Sequence, residues 1–405
     1  MDTKSRKTGP SANASENESC DKQRPFLTFG APLISNDEIA EVGTVLRSGW
    51  LGKGPYVQRF EQSFARYKNA ENAVAVASCT AALHLSLLAA GIGPGDEVIT
   101  TPLTFCATIN AIIHTGATPV LVDVNPFTMN IDIKLIKEAI TDRSRAIVPV
   151  HFAGWPCDIG SILRIAAEHG LTVVEDCAHA IEAQYYGKHC GTFGDFGCFS
   201  FYVTKNITTG EGGMVLTRTR GDAEKIRRLS LHGLSTDAWA RYGPAVFKHY
   251  EVVDVGFKYN MTDIQAALGL KQLAKVEKYW KIRHALWLEY DHRLQDLPLC
   301  LPNTLPEGMK HAHHLYTVLV DEQYTGMDRD EFVDQLTRQG IGVGIHYLAV
   351  TDQGFYQEKY RWAPEDYPNA TRIGRQTVSL PLSARMTEAD IERVAQSIAR
   401  ICCSR

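Results

Sequence analysis

The strongest chemical signal in the chain is Lys205, a lysine at the end of an apolar run that is typical of a strand. Residues 198–201 lead into it, and a Gly/Thr-rich turn at 208–213 follows it. Because charged side chains are rarely buried without a partner, a lysine in this position needs an explanation. Burial lowers the pKa of a lysine and leaves a neutral amine, which can form a Schiff base with an aldehyde. A lysine whose ammonium reaches solvent at the strand end is the alternative, and this segment alone does not separate the two.

A second segment could bind a phosphate group. Ser78, Cys79, Thr80 and Ala81 follow a predicted strand and open a predicted helix. Backbone N–H groups and the helix dipole make such a helix start an anion site. Ser200, shortly before the lysine, could add a hydroxyl group. An ordinary N-capped helix explains the same residues, so the segment is weak on its own.

Two further segments could contact an aromatic ring. Phe105 follows another predicted strand end and could stack on a flat heteroaromatic ring. Asp176 ends an apolar strand and could keep a pyridine-type nitrogen protonated, which makes the ring an electron sink. His179, three residues later, could contact a phenolic oxygen of that ring. A core phenylalanine and a helix-capping carboxylate are the ordinary alternatives. The four features in this order are much more specific than any one of them.

The elements that position these residues alternate between about residues 70 and 220. Short β-branched runs alternate with amphipathic patterns, which indicates a largely parallel sheet covered by helices on both faces. The predicted strands are 73–77, 97–101, 119–124, 146–150, 171–175, 196–201 and 214–217, and the predicted helices are 81–90, 105–114, 132–140 and 159–169. Active sites of such sheets lie at the carboxyl ends of the strands, where nearly all of these residues fall.

The pattern divides the chain into three parts. Residues 1–25 are polar and predicted to be a disordered arm, 26–280 a large domain, and 281–405 a smaller C-terminal α/β domain. A long helix from 262 to 280 or beyond is expected to link the two domains. The smaller domain is predicted to contain strands at 314–320 and 342–346 and helices at 329–339 and 388–401.

Composition excludes several classes of function. The net charge of −4 and the absence of a long basic run favour neither nucleic acid nor an anionic membrane as a partner. No apolar stretch is long enough to span a bilayer, and the N-terminus lacks the apolar core of a signal peptide. The ten cysteines are scattered, without a CxxC pair, which suits reduced thiols in a cytoplasmic protein.

Together, these motifs resemble the DegT/StrS family of pyridoxal-phosphate-dependent nucleotide-sugar aminotransferases, which have fold type I. The resemblance covers roughly residues 26–350 and implies a mostly parallel central sheet flanked by helices, with a smaller C-terminal α/β domain. The segments that carry it are 48–55 (SGWLGKGP), 78–83 (SCTAAL), 175–179 (EDCAH), 200–206 (SFYVTKN), 210–213 (GEGG) and 256–263 (GFKYNMTD).

The resemblance implies a role for each site residue. Lys205 would form the Schiff base with pyridoxal 5'-phosphate, Asp176 would pair with the ring nitrogen, and His179 would lie near the phenolate oxygen. Phe105 would stack on the ring. The implied phosphate ligands are Thr80, Ala81, Ser200 and, from the neighbouring subunit, Asn260. The resemblance therefore also implies a homodimer with shared active sites.

The implied reaction is transamination of a nucleotide-linked keto-sugar to an amino sugar. L-glutamate is the expected amino donor, Lys205 the proton shuttle, and ping-pong kinetics through pyridoxamine phosphate are expected. Trp50, Lys53 and His346 are the substrate-side candidates, although a solvated loop lysine explains Lys53 equally well. The family often carries a His-Tyr-x-Pro element, whereas this chain has His-Tyr-Leu-Ala at 346–349. Relatives with histidine in place of the lysine act as sugar 3-dehydratases, and Lys205 argues against that branch.

Alternative functions remain open at this stage. A non-catalytic sensor on the same fold usually carries a DNA-binding module, for which residues 1–25 are too short and insufficiently basic. A pyridoxal-phosphate lyase or desulfurase would keep Lys205 and Asp176, and a desulfurase needs a mobile cysteine, for which Cys190 is the candidate. A Rossmann dehydrogenase is disfavoured because no GxGxxG follows the first strand.

No metal site is predicted. His311, His313 and His314 lack carboxylates or cysteines at ligand spacing, and a surface turn entering a strand is preferred. The nucleotide, the keto position, the stereochemistry of the new amine and the choice between glutamate and glutamine depend on pocket shape, which the sequence does not determine.

Overall fold

A seven-stranded sheet, here the large sheet, holds the predicted site. The structure, a computed structural model, describes residues 25–235 and 251–403, so residues 1–24 of the predicted arm lie outside the described part. The strands in chain order, including a short hairpin, are β1 (Asn72–Val76), β2 (Glu97–Thr100), β3 (Thr118–Leu121), β4 (Ser144–Ile147), β5 (Thr172–Asp176), β6 (Gln184–Tyr185), β7 (Lys188–His189), β8 (Phe196–Ser200) and β9 (Gly213–Thr217).

The order across the large sheet is β1-β9-β8-β5-β4-β2-β3. β9 runs antiparallel to its neighbours β1 and β8, and the other pairs are parallel. The mostly parallel sheet predicted from the sequence is therefore confirmed. The strands predicted at 119–124 and 146–150 end early, because beyond Leu121 and Ile147 the chain forms only isolated bridges.

Helices cover both faces of this sheet. The described helices are α1 (Asn36–Ser48), α2 (Pro55–Lys68), α3 (Cys79–Ala89), α4 (Cys106–His114), α5 (Ile133–Ile136), α6 (Ile159–His169), α7 (Arg220–Leu229), α8 (Asp263–Leu273), α9 (Val276–Leu294), α10 (Glu322–Thr325), α11 (Arg329–Arg338), α12 (Gly354–Tyr360), α13 (Pro368–Gln376) and α14 (Glu388–Cys403). In β1, Val74 and Val76 pack with α3, α4 and α7, whereas Ala73 and Ala75 pack with α2 and α8. This alternation buries both faces, as the continuous apolar strands predict. None of the described helices is long and apolar enough to cross a membrane.

The long helix predicted from residue 262 is two helices. α8 ends at Leu273 and α9 begins at Val276, because Lys275 has φ −108° and ψ 0°, outside the helical range. The Lys275 ammonium donates to Ser35 Oγ at 2.7 Å and to Glu38 Oε1 at 2.9 Å. The break therefore joins the N-terminal helix α1 to the rest of the fold.

A second sheet, here the small sheet, consists of antiparallel β10 (Tyr316–Leu319) and β11 (Thr377–Leu380). Its core is formed with α9, α11 and α14. The strand predicted at 342–346 forms only one bridge, between Gly344 and Ser379, and β11 was not predicted. α9 continues through the predicted boundary at 280–281, and the division into two domains remains a prediction.

Candidate active site

Lys205 lies in a turn just after β8, at the carboxyl edge of the large sheet. Its backbone N–H donates to Tyr202 O at 2.9 Å, and the residue is half-buried. Burial lowers the pKa of Lys205 to about 8, while the nearby Cys79 and Asp176 oppose the shift. The amine is therefore available as a nucleophile at a much lower pH than that of an exposed lysine.

Asp176 is the last residue of β5, the strand next to β8 in the large sheet. Its Oδ2 accepts a hydrogen bond from Thr108 Oγ1 at 2.8 Å, and its Oδ1 accepts one from the Ala178 N–H at 3.0 Å. Burial raises the pKa of Asp176, while the two hydrogen bonds and the Lys205 charge oppose that shift. The structure thus places a buried carboxyl group with fixed geometry close to Lys205, and its pairing with a ring nitrogen remains a prediction.

The neighbouring acid, Glu175, serves a different purpose. Its oxygens accept hydrogen bonds from the N–H groups of Gly191, Phe193 and Gly194, each at 2.8 Å, and from His151 Nε2 at 3.1 Å. Burial would raise the pKa of Glu175, but the bonds from His151 and the backbone bring it below its usual value. The three backbone bonds show that Glu175 holds the loop after β7 in place, and the fourth bond joins this loop to His151 after β4.

One group of three possible metal ligands occurs within the described residues: His151, Glu175 and Cys177, whose ligand atoms lie within 4.8 Å of one another. His151 Nδ1 accepts the Cys157 N–H at 2.9 Å, so its Nε2 carries the proton that is donated to Glu175. Both imidazole nitrogens are therefore engaged in protein hydrogen bonds.

The predicted anion site lies at the start of α3. Ser78 is the N-cap and its Oγ accepts the Ala81 N–H at 3.1 Å, so that this N–H is already engaged. Ser200 pairs with Gly213 in the sheet register. A Cβ at Gly213 would come within 2.5 Å of Ser78 C and O, so only glycine lets β9 approach the start of α3. The structure thus brings Ser200 and the start of α3 to the same place.

Aromatic rings border the site on the side of α4. Phe105 is the N-cap of α4 and is 56% exposed, and its ring centroid lies 5.6 Å from that of Tyr347. Both rings line a cavity of about 710 Å³ that continues to Phe355 and Lys359. A flat ring could therefore stack on Phe105 beside an open cavity.

His179 has a defined tautomer. The Ala153 N–H donates to its Nδ1 at 3.2 Å, so Nε2 carries the proton and donates to Tyr347 Oη at 2.9 Å. Burial lowers the pKa of His179 well below its usual value, and the positive charge of Lys205 adds to this effect. Tyr347 is a site residue that sequence analysis missed, although it belongs to the His-Tyr element noted there.

His346 and His314 complete this side of the site. Their ring centroids lie 6.3 Å and 4.5 Å from that of His179. His346 Nδ1 lies 3.0 Å from Ser379 Oγ, and burial together with the Lys205 charge lowers the pKa of His346 to about 3. His346, predicted on the substrate side, is thus brought to Lys205.

The predicted surface turn at residues 311–314 is wrong. His311, His313 and His314 are buried, because the segment packs against Trp287 of α9 and its backbone bonds to Gly154 and Ala153. The contacts are with residues distant in sequence, so local spacing did not reveal them.

The candidate cysteine of a desulfurase is buried in the core. Cys190 has no exposed surface, and its backbone carbonyl accepts a hydrogen bond from the buried ammonium of Lys68 at 3.1 Å. It is a core residue, so the mobile catalytic thiol that a desulfurase needs is not supplied by this candidate.

Asn260 lies close to the start of α3 within the same chain. It forms a bridge with Val76, and the Ala77 N–H donates to Tyr259 O at 2.7 Å. The buried Asn260 Oδ1 has no hydrogen-bond partner among the described residues. Its contribution to a neighbouring subunit remains a prediction.

Trp50 and Lys53 do not lie with Lys205 within one chain. The Trp50 indole N–H donates to Lys53 O at 3.2 Å. Lys53 lines a separate cavity of about 470 Å³ with Arg227 and Asn72, at the opposite end of β1 from the start of α3. Their assignment to the substrate side remains a prediction.

Known proteins match this chain over the whole region that contains the site. A sequence model of the DegT/DnrJ/EryC1/StrS aminotransferase family matches residues 32–399. The spore coat polysaccharide biosynthesis protein SpsC of Bacillus subtilis (strain 168) is 46% identical over 378 residues, which are 93% of this chain and 97% of SpsC.

Solved structures agree with the sequence matches. Helicobacter pylori PseC, an aminotransferase involved in the biosynthesis of pseudoaminic acid, has a TM-score of 0.87 at 28% identity, covering 94% of this chain and 100% of PseC. Spr1654 from Streptococcus pneumoniae in its PLP form has a TM-score of 0.86 at 29% identity, covering 93% of this chain and 98% of Spr1654. The family match includes every residue of the site, from Trp50 to Tyr347.

Proposed function

The chain belongs to the DegT/DnrJ/EryC1/StrS aminotransferase family and is a pyridoxal-phosphate-dependent sugar aminotransferase, and we propose that it moves the amino group of L-glutamate to a nucleotide-linked keto-sugar. The observation that carries the proposal is the convergence of Lys205, Asp176 and the start of α3 at one edge of the large sheet. The proposal that the acceptor of the amino group is a sugar is supported by the similarity to SpsC, a polysaccharide biosynthesis protein, and to PseC.

The donor set fits the cofactor. When bound, pyridoxal phosphate supplies an aldehyde that takes up the amino group and a protonated ring that accepts electron density. The buried Asp176 carboxylate would hold the proton of the ring nitrogen, and Thr108 and the Ala178 N–H fix the orientation of the carboxylate. The start of α3, with Ser200 beside it, would bind the phosphate, and Phe105 would stack on the ring.

Lys205 Nζ would hold the aldehyde and, once the amino group of the donor has displaced it, would be free to move the substrate proton. Its pKa of about 8 raises the ratio of amine to ammonium over that of a free lysine with a pKa of 10.5, by roughly 300-fold at any pH between the two. The neutral amine takes the α-proton of the amino donor and gives it back later in the same half-reaction. General acid–base catalysis of this kind contributes roughly 10²–10⁴-fold.

His179 orients the bound ring. Its Nε2–H donates to Tyr347 Oη and would be shared with an anionic phenolic oxygen when the ring is bound, and the Ala153 N–H prevents the imidazole from turning over. Because burial keeps His179 neutral, no second positive charge arises beside Lys205.

The kinetic scheme is ping-pong, and the proposed assembly is a homodimer with shared sites. The unpartnered Oδ1 of Asn260 beside the start of α3 supports a further contact of that side chain. The eight described cysteines are free thiols, which supports a reducing compartment, and we place the protein in the cytoplasm.

The proposal is tested by the absorption spectrum of the holoenzyme with one amino donor at a time. L-glutamate without sugar is expected to convert the visible band to the near-ultraviolet form and to release about one 2-oxoglutarate per site. A nucleotide-linked keto-sugar, with a UDP-linked 4-keto-6-deoxyhexose as the first probe, is then expected to restore the visible band. L-glutamine as the more effective donor would correct the donor, whereas no conversion with either donor would favour a non-catalytic sensor on the same fold.

A further inference from the structure

A buried chain of polar side chains connects α9 to the residue that follows Lys205. The chain, here the Asn206 network, consists of Arg283, Glu182, Asn206 and His314. Arg283 Nη2 donates to Glu182 Oε1 at 2.5 Å, Asn206 Nδ2 donates to Glu182 Oε2 at 2.7 Å, and Asn206 Oδ1 lies 2.9 Å from His314 Nδ1. Arg283, Glu182 and His314 are at most 6% exposed.

The orientation of the Asn206 amide follows from its other partner. Asn206 Nδ2 also donates to Ala312 O at 2.9 Å. A backbone carbonyl only accepts hydrogen bonds, so the NH₂ group must face Ala312 and Oδ1 must face His314. His314 Nδ1 is therefore the donor in its bond to Asn206.

This bond leaves the other nitrogen of His314 with a free lone pair. Burial lowers the pKa of His314 well below its usual value, and the positive charges of Lys205 and Arg283 act in the same direction. The imidazole is therefore neutral, with its proton on Nδ1. Nε2 has no hydrogen-bond partner among the described residues, since the one side-chain bond of His314 is that of Nδ1. The ring centroid of His179 lies 4.5 Å from that of His314. His179 has the opposite tautomer, with its proton on Nε2.

The chemistry of the reactants restricts what can donate to this lone pair. The phosphate and phenolic oxygens of the cofactor are acceptors, and its ring N–H is assigned to Asp176. The carboxylates of an amino-acid donor are also acceptors, and its amino group reacts at the cofactor. The sugar is the reactant that keeps free hydroxyl donors.

We propose that His314 is a substrate-binding residue whose Nε2 accepts a hydrogen bond from a hydroxyl group of the sugar. Asn206 is the positioning residue that fixes the tautomer of His314. The inference rests on the proposed function, because it takes the second substrate to be a sugar. It concerns only the second half-reaction, since the amino donor has no hydroxyl to offer.

His314→Asn tests the proposal in the holoenzyme. The Asn amide keeps a donor close to the place of Nδ1 and removes the acceptor at the place of Nε2. The expected result is a roughly 10- to 100-fold loss of kcat/KM for a UDP-linked 4-keto-6-deoxyhexose, mainly through KM, with a change of less than threefold in the glutamate half-reaction. An equal loss in both half-reactions, or no loss in either, would overturn the proposal.

Asn206→Leu tests the positioning role. It is expected to reproduce the sugar-side loss, whereas Asn130→Leu is the matched control. Asn130 is buried, whereas Asn206 is half-buried; like Asn206, it donates to a backbone carbonyl, that of Trp155 at 3.1 Å, but it has no bond to a histidine. Loss of sugar turnover in both variants would indicate a general folding defect and would contradict a specific role of Asn206.

The tautomer itself can be measured without any sugar. Nitrogen-15 NMR of the histidine-labelled holoenzyme, with His314 assigned from the His314→Asn spectrum, is expected to show a protonated Nδ1 and an unprotonated Nε2 at pH 7. A protonated Nε2 would overturn the inference, even if the glutamate half-reaction behaves as proposed. Absence of the glutamate half-reaction would instead contradict the proposed function.

Discussion

The two sides of the site differ in origin and in chemistry. The floor, formed by Asp176, Lys205 and the start of α3, lies at the carboxyl ends of strands of the large sheet. The wall, formed by His314, His346 and Tyr347, comes from segments next to the small sheet. The floor residues hold the groups that react, whereas the wall residues are neutral rings fixed by hydrogen bonds. We therefore expect the floor to perform the proton transfer and the wall to orient the reactants.

A substitution in the floor is expected to have the largest effect on the reaction rate. In Asp176→Asn, the side chain keeps its size but cannot hold the ring nitrogen as a protonated, electron-accepting group. The rate of the glutamate half-reaction should fall by about 10²- to 10³-fold. Stopped-flow absorbance measures the rate of this half-reaction. A fall of less than fivefold would show that Asp176 does not take part in the reaction.

The rate of covalent cofactor binding should depend on pH through the pKa of Lys205. Its folded pKa is lowered to about 8, so the amine is protonated below that pH and reactive above it. The rate at which the apoenzyme binds pyridoxal phosphate covalently should rise about 50-fold from pH 6 to pH 8 and then level off. A rise that continues to pH 10 would show that Lys205 behaves as an ordinary exposed lysine.

Removing one hydroxyl group from the wall should have a smaller effect. Tyr347→Phe keeps the ring contact with Phe105 but leaves the His179 Nε2–H without its acceptor. The expected loss in kcat/KM is roughly fivefold to tenfold, the cost of one hydrogen bond.

Tyr356→Phe is the matched control for this change. The Tyr356 hydroxyl donates to Asn110 Oδ1 at 2.7 Å and has no bond to His179. Tyr356→Phe should lower kcat/KM by less than twofold. Equal losses of kcat/KM in the two variants would mean that the hydroxyl of Tyr347 has no special role.

The smallest effect is expected at Lys53, which belongs to neither side. It lines a different cavity, at the other end of β1. Lys53→Gln should change the glutamate half-reaction by less than twofold, as measured by the same stopped-flow signal. A tenfold loss there would place Lys53 in the reacting set and break the division into floor and wall.

The sequence predicted the floor much better than the wall. The floor follows from local patterns, because parallel strands bring their carboxyl ends to one edge, where Asp176 ends β5 and Lys205 lies in the turn after β8. The residues of the wall depend on packing between distant segments. His314 packs against the ring of His179 and donates its backbone N–H to Ala153 O, and no local pattern around His314 indicates either contact.

The errors in secondary structure have the same cause. The break at Lys275 arises where its ammonium binds Glu38, more than two hundred residues earlier in the chain. β11 is a four-residue strand that becomes recognisable only beside β10. Short-range periodicity carries no information about such partners.

The most direct test of the floor is exchange of the α-proton of L-glutamate in D₂O, followed by proton NMR without any sugar. The wild-type holoenzyme should exchange this proton, and Lys205→Ala should lose at least about 10²-fold of that rate while remaining folded. His314→Asn should exchange at the wild-type rate. Exchange by Lys205→Ala within tenfold of the wild type would contradict the assignment of proton transfer to Lys205.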